Sequence, residues 1–179
     1  MSHFIQFLTW FRIIVSPIIF LFIAYFHFYG VALIIFIAAS SSDYWDGFLA
    51  RKYNLESISG AILDPVADKI LITFLILALS IELNSIFIGL IGGVMLLREF
   101  WVGALREFNS SNGNSTATRV TFLAKVKTAV QFLTFTCYLL GLFLDNSLII
   151  FISDFFLLLA LIITLQTGIK YSIATFKKA

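Results

Sequence analysis

Residues 43–68 read DYWDGFLARKYNLESISGAILDPVAD, the most informative stretch of this chain. It places four aspartates, at positions 43, 46, 64 and 68, in a chain of 179 residues that is 60% hydrophobic and only 12% charged. Isolated carboxylates within a membrane are costly unless a cation holds them. The spacing, D-x2-D-G-x2-A-R-x8-G-x3-D-x3-D, therefore indicates a functional site inside an integral membrane protein.

Helical spacing groups the motif residues on two successive helices. Asp43, Asp46, Gly47 and Ala50 fall on one face of the first helix, because steps of three, four and seven return to the same side. The other two aspartates lie one turn apart on the next helix, with Gly60 one turn before them. Two helices that each present two carboxylates predict a site for hard divalent cations, which prefer oxygen ligands.

A salt-bridged core is the weaker interpretation of these acids. The basic residues that lie nearby in the sequence are Arg51, Lys52 and Lys69, which are too few to neutralise four aspartates. Small residues share the face of the first pair, and they leave room for a ligand to approach the backbone closely. The pattern favours a binding site.

The motif resembles the signature of the CDP-alcohol phosphotransferase family at all eight fixed positions. That resemblance implies transfer of a substituted phosphoryl group from a CDP-linked donor to an alcohol. It implies Mg²⁺ or Mn²⁺, as two ions, bound by the four aspartates, with Asp68 also acting as general base. It further implies a homodimer, and donor binding by the following residues: Asp43, Gly47, Ala50, Arg51 and Gly60.

Composition independently predicts an all-α integral membrane protein, since mean hydropathy is +1.01 and a soluble domain would be about a quarter charged. We predict one domain, residues 1–179, and no nucleic-acid partner. Cys137 is the single cysteine, which excludes an internal disulfide. Six segments approach the ~20 residues that span a bilayer. They are residues 4–28, 31–51, 60–82, 85–107, 119–143 and 147–171.

The distribution of lysine and arginine predicts the orientation of these segments. All twelve lie in the N-terminal region, around the second and fourth connections, or near the C-terminal end. By the positive-inside rule, both termini and the aspartates face the cytoplasm. We expect a bacterial plasma (inner) membrane location. Arg12 interrupts the first segment and argues against a cleaved signal peptide.

Three further patches resemble the subgroup of the family whose acceptor is glycerol 3-phosphate. They read LTWFRIIVSP from Leu8, REFWVGALRE from Arg98 and AKVKTAVQ from Ala124. The resemblance implies that the acceptor phosphate is bound by four cations: Arg98, Arg106, Lys125 and Lys127. The two lysines point to nearly opposite sides of a helix, and we expect Lys125 to face the site because it shares an arc with Thr128. Ala124, where the family often has glycine, and the polar loop at residues 109–118 depart from the pattern.

The resemblance predicts transfer of the phosphatidyl group of CDP-diacylglycerol to the sn-1 hydroxyl of glycerol 3-phosphate, giving phosphatidylglycerophosphate and CMP. Membrane lipid surrounds the protein and supplies the donor. A cardiolipin synthase of the same family, with phosphatidylglycerol as acceptor, is the nearest alternative. A divalent-cation carrier is more distant, since the acids cluster at one membrane face and Asp154 stands alone near the other.

Overall fold

The computed structural model describes the backbone of residues 2–53, 58–114 and 122–177, and the side chains of residues 7–42, 63–114 and 122–177. Every regular element within these ranges is a helix, and no strand occurs in them. The helices, numbered α1 to α6, are Ser2–Ala24, Tyr29–Tyr53, Ile58–Glu82, Ile86–Ser111, Phe122–Phe143 and Ser147–Phe176.

The predicted all-α architecture is confirmed, and the helix ends differ from the predicted segments by a few residues. The first helix ends at Ala24 rather than at residue 28. The fourth and sixth helices continue to Ser111 and Phe176 instead of ending at 107 and 171. A buried contact supports both extensions, because Asn109 Nδ2 donates to Thr175 Oγ1 at 2.7 Å across the two helices.

Four helices in the described part of the chain are long and apolar enough to cross a membrane. They contain Phe7–Ala24 of α1 and the whole of α4, α5 and α6. Among the described side chains, α2 contributes a shorter apolar stretch, Tyr29–Ser42, which directly precedes Asp43 in the sequence. The chain is therefore a helical membrane protein whose acidic motif adjoins an apolar bundle.

The six helices pack as a closed ring in the spatial order α1, α3, α4, α6, α5, α2. Each helix packs mainly against its two neighbours in this order, and α2 closes the circuit onto α1. Buried side chains from all six helices form one continuous apolar core. Because successive helices run in opposite directions, the ends that carry the motif gather at one end of the bundle.

Three short connections close the opposite end. Each contains one residue with left-handed backbone geometry, namely His27 (φ 54°), Asn84 (φ 45°) and Asp145 (φ 49°). Histidine, asparagine and aspartate tolerate this conformation better than most other residues. Ser85 and Asn146 then cap α4 and α6 by accepting hydrogen bonds from backbone N–H groups of the first turn.

Polar contacts also join helices in this half of the bundle. Glu82 at the end of α3 accepts a 2.5 Å hydrogen bond from the Tyr29 hydroxyl, and its other carboxylate oxygen lies 3.1 Å from His27 Nδ1. Asp154 accepts a 2.5 Å hydrogen bond from Tyr138. Asp154 of α6 therefore has a polar partner on α5.

Candidate functional site

The acidic motif is divided between the C-terminal part of α2 and the N-terminal part of α3. Six of its residues have side chains outside the described set, so their predicted metal and donor contacts stay predictions. They are Asp43, Asp46, Gly47, Ala50 and Arg51 in α2, and Gly60 in α3.

The two described aspartates, Asp64 and Asp68, lie one turn apart on α3 and face α1. Thr9 donates to Asp64 Oδ1 at 2.6 Å, and the Arg12 guanidinium contacts the same oxygen at 3.3 Å. Arg12 also forms an ion pair with Asp68 Oδ1. Arg12 is completely buried, whereas the Asp64 and Asp68 side chains are 34% and 45% exposed. Both aspartate side chains are therefore held by α1 and remain partly exposed.

Arg12 is the residue that sequence reasoning missed as a partner of the acids. Only cations close in the sequence were weighed as partners of the aspartates, whereas Arg12 is 52 to 56 residues away from the two described ones. Lys69, one of the nearby cations, lies over the Phe100 ring of α4, 5.1 Å from its centre. The available signal was a single arginine within an apolar helix, which requires a counter-charge.

A second cluster surrounds Arg98 on α4, which is 8% exposed. Its guanidinium donates to Glu99 Oε1 at 2.9 Å and to Thr167 Oγ1 of α6 at 2.5 Å. Lys127 of α5 pairs with the same Glu99 oxygen. Gly168 makes room for this arrangement, because a Cβ there would lie 3.0 Å from Arg98 Cγ and Nε. We call Arg98, Glu99, Lys127 and Thr167 the basic cluster.

The other two predicted acceptor residues lie at or beyond the edge of the basic cluster. The Arg106 guanidinium lies 5.8 Å from the centre of the Tyr171 ring and close enough to Lys127 to repel it electrostatically. Lys125 is exposed. Lys127 therefore lies in the basic cluster, and the expectation that Lys125 faces the acceptor site stays a prediction. Thr128, which guided it, is exposed as well.

Packing brings the two clusters to the same end of the ring. The N-terminal parts of α1, α3 and α5 meet the C-terminal parts of α4 and α6 there. Since α6 separates α4 from α5 in the ring, the Glu99–Lys127 ion pair spans its interior. Lys69 contacts Phe100, and these two residues directly follow Asp68 and Glu99 in the chain. Asp68 and Glu99 therefore lie at a similar depth along the bundle. Acids and bases thus lie at a common level.

The donor set fits a divalent metal in part. Asp64 and Asp68 have partly exposed side chains, and carboxylate oxygens are ligands of the type that Mg²⁺ and Mn²⁺ prefer. Among the described side chains, no group of three or more potential metal ligands comes together. A complete site would need the aspartates of α2, Asp43 and Asp46, which belong to the part of α2 whose side chains lie outside that set.

Comparison with known proteins gives consistent matches. The sequence model of the family described as CDP-alcohol phosphatidyltransferase matches residues 3–166. A CDP-diacylglycerol–glycerol-3-phosphate 3-phosphatidyltransferase of Wigglesworthia glossinidia brevipalpis is 37% identical over 129 residues, 70% of each chain. The protein of that name from Salmonella paratyphi A is 37% identical over 127 residues, 69% of each chain. The Escherichia coli K12 protein is 38% identical over 100 residues, 56% of this chain and 55% of its own.

Proposed function

Because the chain belongs to the CDP-alcohol phosphatidyltransferase family, we propose that it transfers the phosphatidyl group of CDP-diacylglycerol to glycerol 3-phosphate. The names of the bacterial relatives support this choice of substrates. The structural observation that supports it best is the basic cluster, which lies at the same end of the bundle as Asp64 and Asp68.

The acceptor would bind through its phosphate at the basic cluster. Arg98, Lys127 and the adjoining Arg106 carry three positive charges, and Glu99 carries one negative charge. The resulting net charge of about +2 complements a dianionic phosphate. Hydrogen bonds between charged partners are roughly twice as strong as neutral ones, so such a site would favour glycerol 3-phosphate over uncharged alcohols.

The donor would bind beside the motif, with its acyl chains in the bilayer and its pyrophosphate at the cytoplasmic end of the bundle. We assign the nucleotide to the small residues Gly47, Ala50 and Gly60, together with Asp43. Arg51 would contact a phosphate through its planar guanidinium, which presents donors in a fork that matches phosphate oxygens. These assignments follow the family resemblance.

In the proposed reaction Asp68 accepts the proton of the sn-1 hydroxyl of glycerol 3-phosphate. The resulting alkoxide oxygen forms a bond to the β-phosphorus of CDP-diacylglycerol, and the bond from that phosphorus to the bridging oxygen of CMP breaks. The products are phosphatidylglycerophosphate and CMP. Base catalysis of this kind contributes about 10²–10⁴-fold, so the remainder must come from positioning and electrostatics.

Asp43, Asp46, Asp64 and Asp68 would hold divalent metal, Mg²⁺ or Mn²⁺, as two ions. When bound, the metal would supply positive charge to the pyrophosphate and to the oxygens that attack and leave. Asp64 and Asp68 fit this role because each side chain stays partly exposed although α1 contacts one of its oxygens.

We further propose that all six helices span a bacterial inner membrane, with both termini and the active site on the cytoplasmic side, and that the enzyme is a homodimer. The positive-inside distribution of lysine and arginine supports the orientation. The water-soluble acceptor would be available on that side, whereas the donor would enter laterally from the lipid.

The decisive experiment is incubation of the purified protein with CDP-diacylglycerol, Mg²⁺ and separate acceptors, with CMP and lipid products identified by mass. We expect CMP release that requires glycerol 3-phosphate. CMP release that requires phosphatidylglycerol would assign a cardiolipin synthase instead. Transport of Mn²⁺ into protein-containing vesicles without CMP release would support the carrier and overturn the proposed reaction.

A further inference from the structure

The contacts between α1 and the aspartates of α3 extend the proposed site to a helix outside the motif. Thr9 and Arg12 lie one turn apart on α1 and are 1% and 0% exposed. Both contact Asp64 Oδ1, and Arg12 also contacts Asp68 Oδ1. We call Thr9 and Arg12 the α1 pair.

The geometry of the α1 pair leaves the aspartates usable as ligands. All described contacts between the α1 pair and each carboxylate are made to the Oδ1 atom. The Asp64 and Asp68 side chains keep a third or more of their surface exposed. A simple internal salt bridge would instead cover both partners. The α1 pair therefore orients the two carboxylates without enclosing them.

Stability alone is a weak explanation for a fully buried arginine. Replacing a buried ion pair by well-packed apolar residues is often neutral or stabilising, so such a pair is poor evidence of a stabilising role. Groups that hold metal-binding side chains from behind fix their orientation, and their loss typically reduces metal affinity or activity about 10- to 100-fold. The arrangement of Thr9 and Arg12 behind Asp64 and Asp68 matches the second role.

We propose that Thr9 and Arg12 are positioning residues: Thr9 fixes Asp64 for metal binding, and Arg12 fixes Asp64 and Asp68 relative to each other. This inference rests on the proposed function for the roles of the two aspartates. Arginine suits the task because its planar fork can contact two carboxylates at once, whereas lysine presents a single point charge.

Thr9 gives the sharper test, because Thr9→Val removes the hydroxyl that donates to Asp64 and the effect on metal binding can be measured without substrate. We expect Thr9→Val to weaken Mn²⁺ binding about 10-fold or more, measured by electron paramagnetic resonance of the purified protein, and Thr9→Ser to restore most of it. Thr134→Val is the matched control. Thr134 is also fully buried, but its hydroxyl donates to Val130 O within its own helix.

Arg12→Lys tests the second half of the proposal. We expect kcat for CMP release to fall about 10- to 100-fold, while KM for CDP-diacylglycerol and for glycerol 3-phosphate changes less than threefold. Ser16→Ala is the control on the same helix, because the Ser16 hydroxyl donates to the Arg12 carbonyl oxygen and not to an aspartate. We expect its kcat to remain close to that of the unmodified protein.

Several outcomes would overturn the inference. If Thr9→Val and Thr134→Val bind Mn²⁺ with equal affinity, Thr9 has no role in positioning Asp64. Either of two results would assign Arg12 to stability. One is a kcat in Arg12→Lys that equals the kcat of Ser16→Ala, and the other is a melting temperature of Arg12→Lys that falls in parallel with its activity. The Mn²⁺ measurement needs no substrate. A failure of the Thr9 test is therefore distinguishable from a failure of the proposed reaction, in which the unmodified protein would release no CMP with any acceptor.

Discussion

Lys127 and Lys125 offer the most direct test of the acceptor site, since the two lysines lie two residues apart on α5 and differ in environment. Lys127 is 12% exposed and paired with Glu99, whereas Lys125 is exposed. We expect Lys127→Gln to raise KM for glycerol 3-phosphate and Lys125→Gln to leave it nearly unchanged.

The magnitude follows from the contacts. Loss of a hydrogen bond to a charged group typically costs about 1.5–3 kcal/mol, which corresponds to roughly ten- to 150-fold in affinity. Glu99 would not be left unpaired in Lys127→Gln, because Arg98 still donates to its Oε1 atom at 2.9 Å. The full penalty of an orphaned buried carboxylate therefore does not apply, and most of the change should come from the acceptor phosphate.

The assay is initial-rate CMP release with one substrate varied and the other held at saturation. KM for CDP-diacylglycerol should move less than KM for glycerol 3-phosphate in the Lys127 variant, and the melting temperatures of both variants in detergent should match. Equal acceptor KM values in the two lysine variants would refute the assignment of Lys127 to the phosphate. A larger effect at Lys125 would support the prediction from sequence that Lys125 faces the acceptor site.

Three further substitutions test other parts of the structure. Asp64→Asn should lower CMP release about a hundredfold or more at any Mg²⁺ concentration, because it removes a charged oxygen near the reacting phosphates; near-normal turnover at low Mg²⁺ would contradict the proposed site. Gly168→Ala should raise KM for glycerol 3-phosphate roughly two- to tenfold, since the new Cβ would lie 3.0 Å from Arg98 and displacing that side chain costs ~0.5–1.5 kcal/mol. An unchanged KM would show that Arg98 can move freely. Gly92→Ala should destabilise the protein by about 1–3 kcal/mol, measured by unfolding in detergent, because its Cβ would lie 2.3 Å from the nearest side-chain atom of α3. Gly93→Ala should not destabilise it, because a Cβ at that position would meet open space.

The helices were predictable because their signal is local. Each predicted segment needs only a run of apolar residues near the length of a bilayer crossing, and each overlaps an observed helix. The ends were less predictable, since polar residues extend α4 where their partners lie on another helix. Asn109 is fully buried in α4 and bonds Thr175 of α6, although its sequence context is a polar loop.

The site could be predicted only where its residues are close in sequence. The one-turn spacing of Asp64 and Asp68 follows from helix geometry, and it is observed. The pairing of Arg12 with them requires knowing that α1 packs against α3. Helical spacing places Lys125 and Lys127 on different sides of α5, but which lysine meets the basic cluster depends on how α5 packs against α2 and α6, and local spacing does not reveal that packing.

The order of helices in the ring explains why acids and bases meet although they are distant in sequence. α3 lies between α1 and α4, so one side of its motif-bearing end meets Arg12 while the other side reaches Phe100 through Lys69. α6 lies between α4 and α5 and brings Arg98 near Lys127. A metal-binding acidic site and a phosphate-binding basic site require opposite electrostatic environments, and direct pairing between them would inactivate both. The acids have their own counter-charge on α1 and the cations have theirs in Glu99. Each site therefore has a local counter-ion, which allows the two to share one end of the bundle at a common depth.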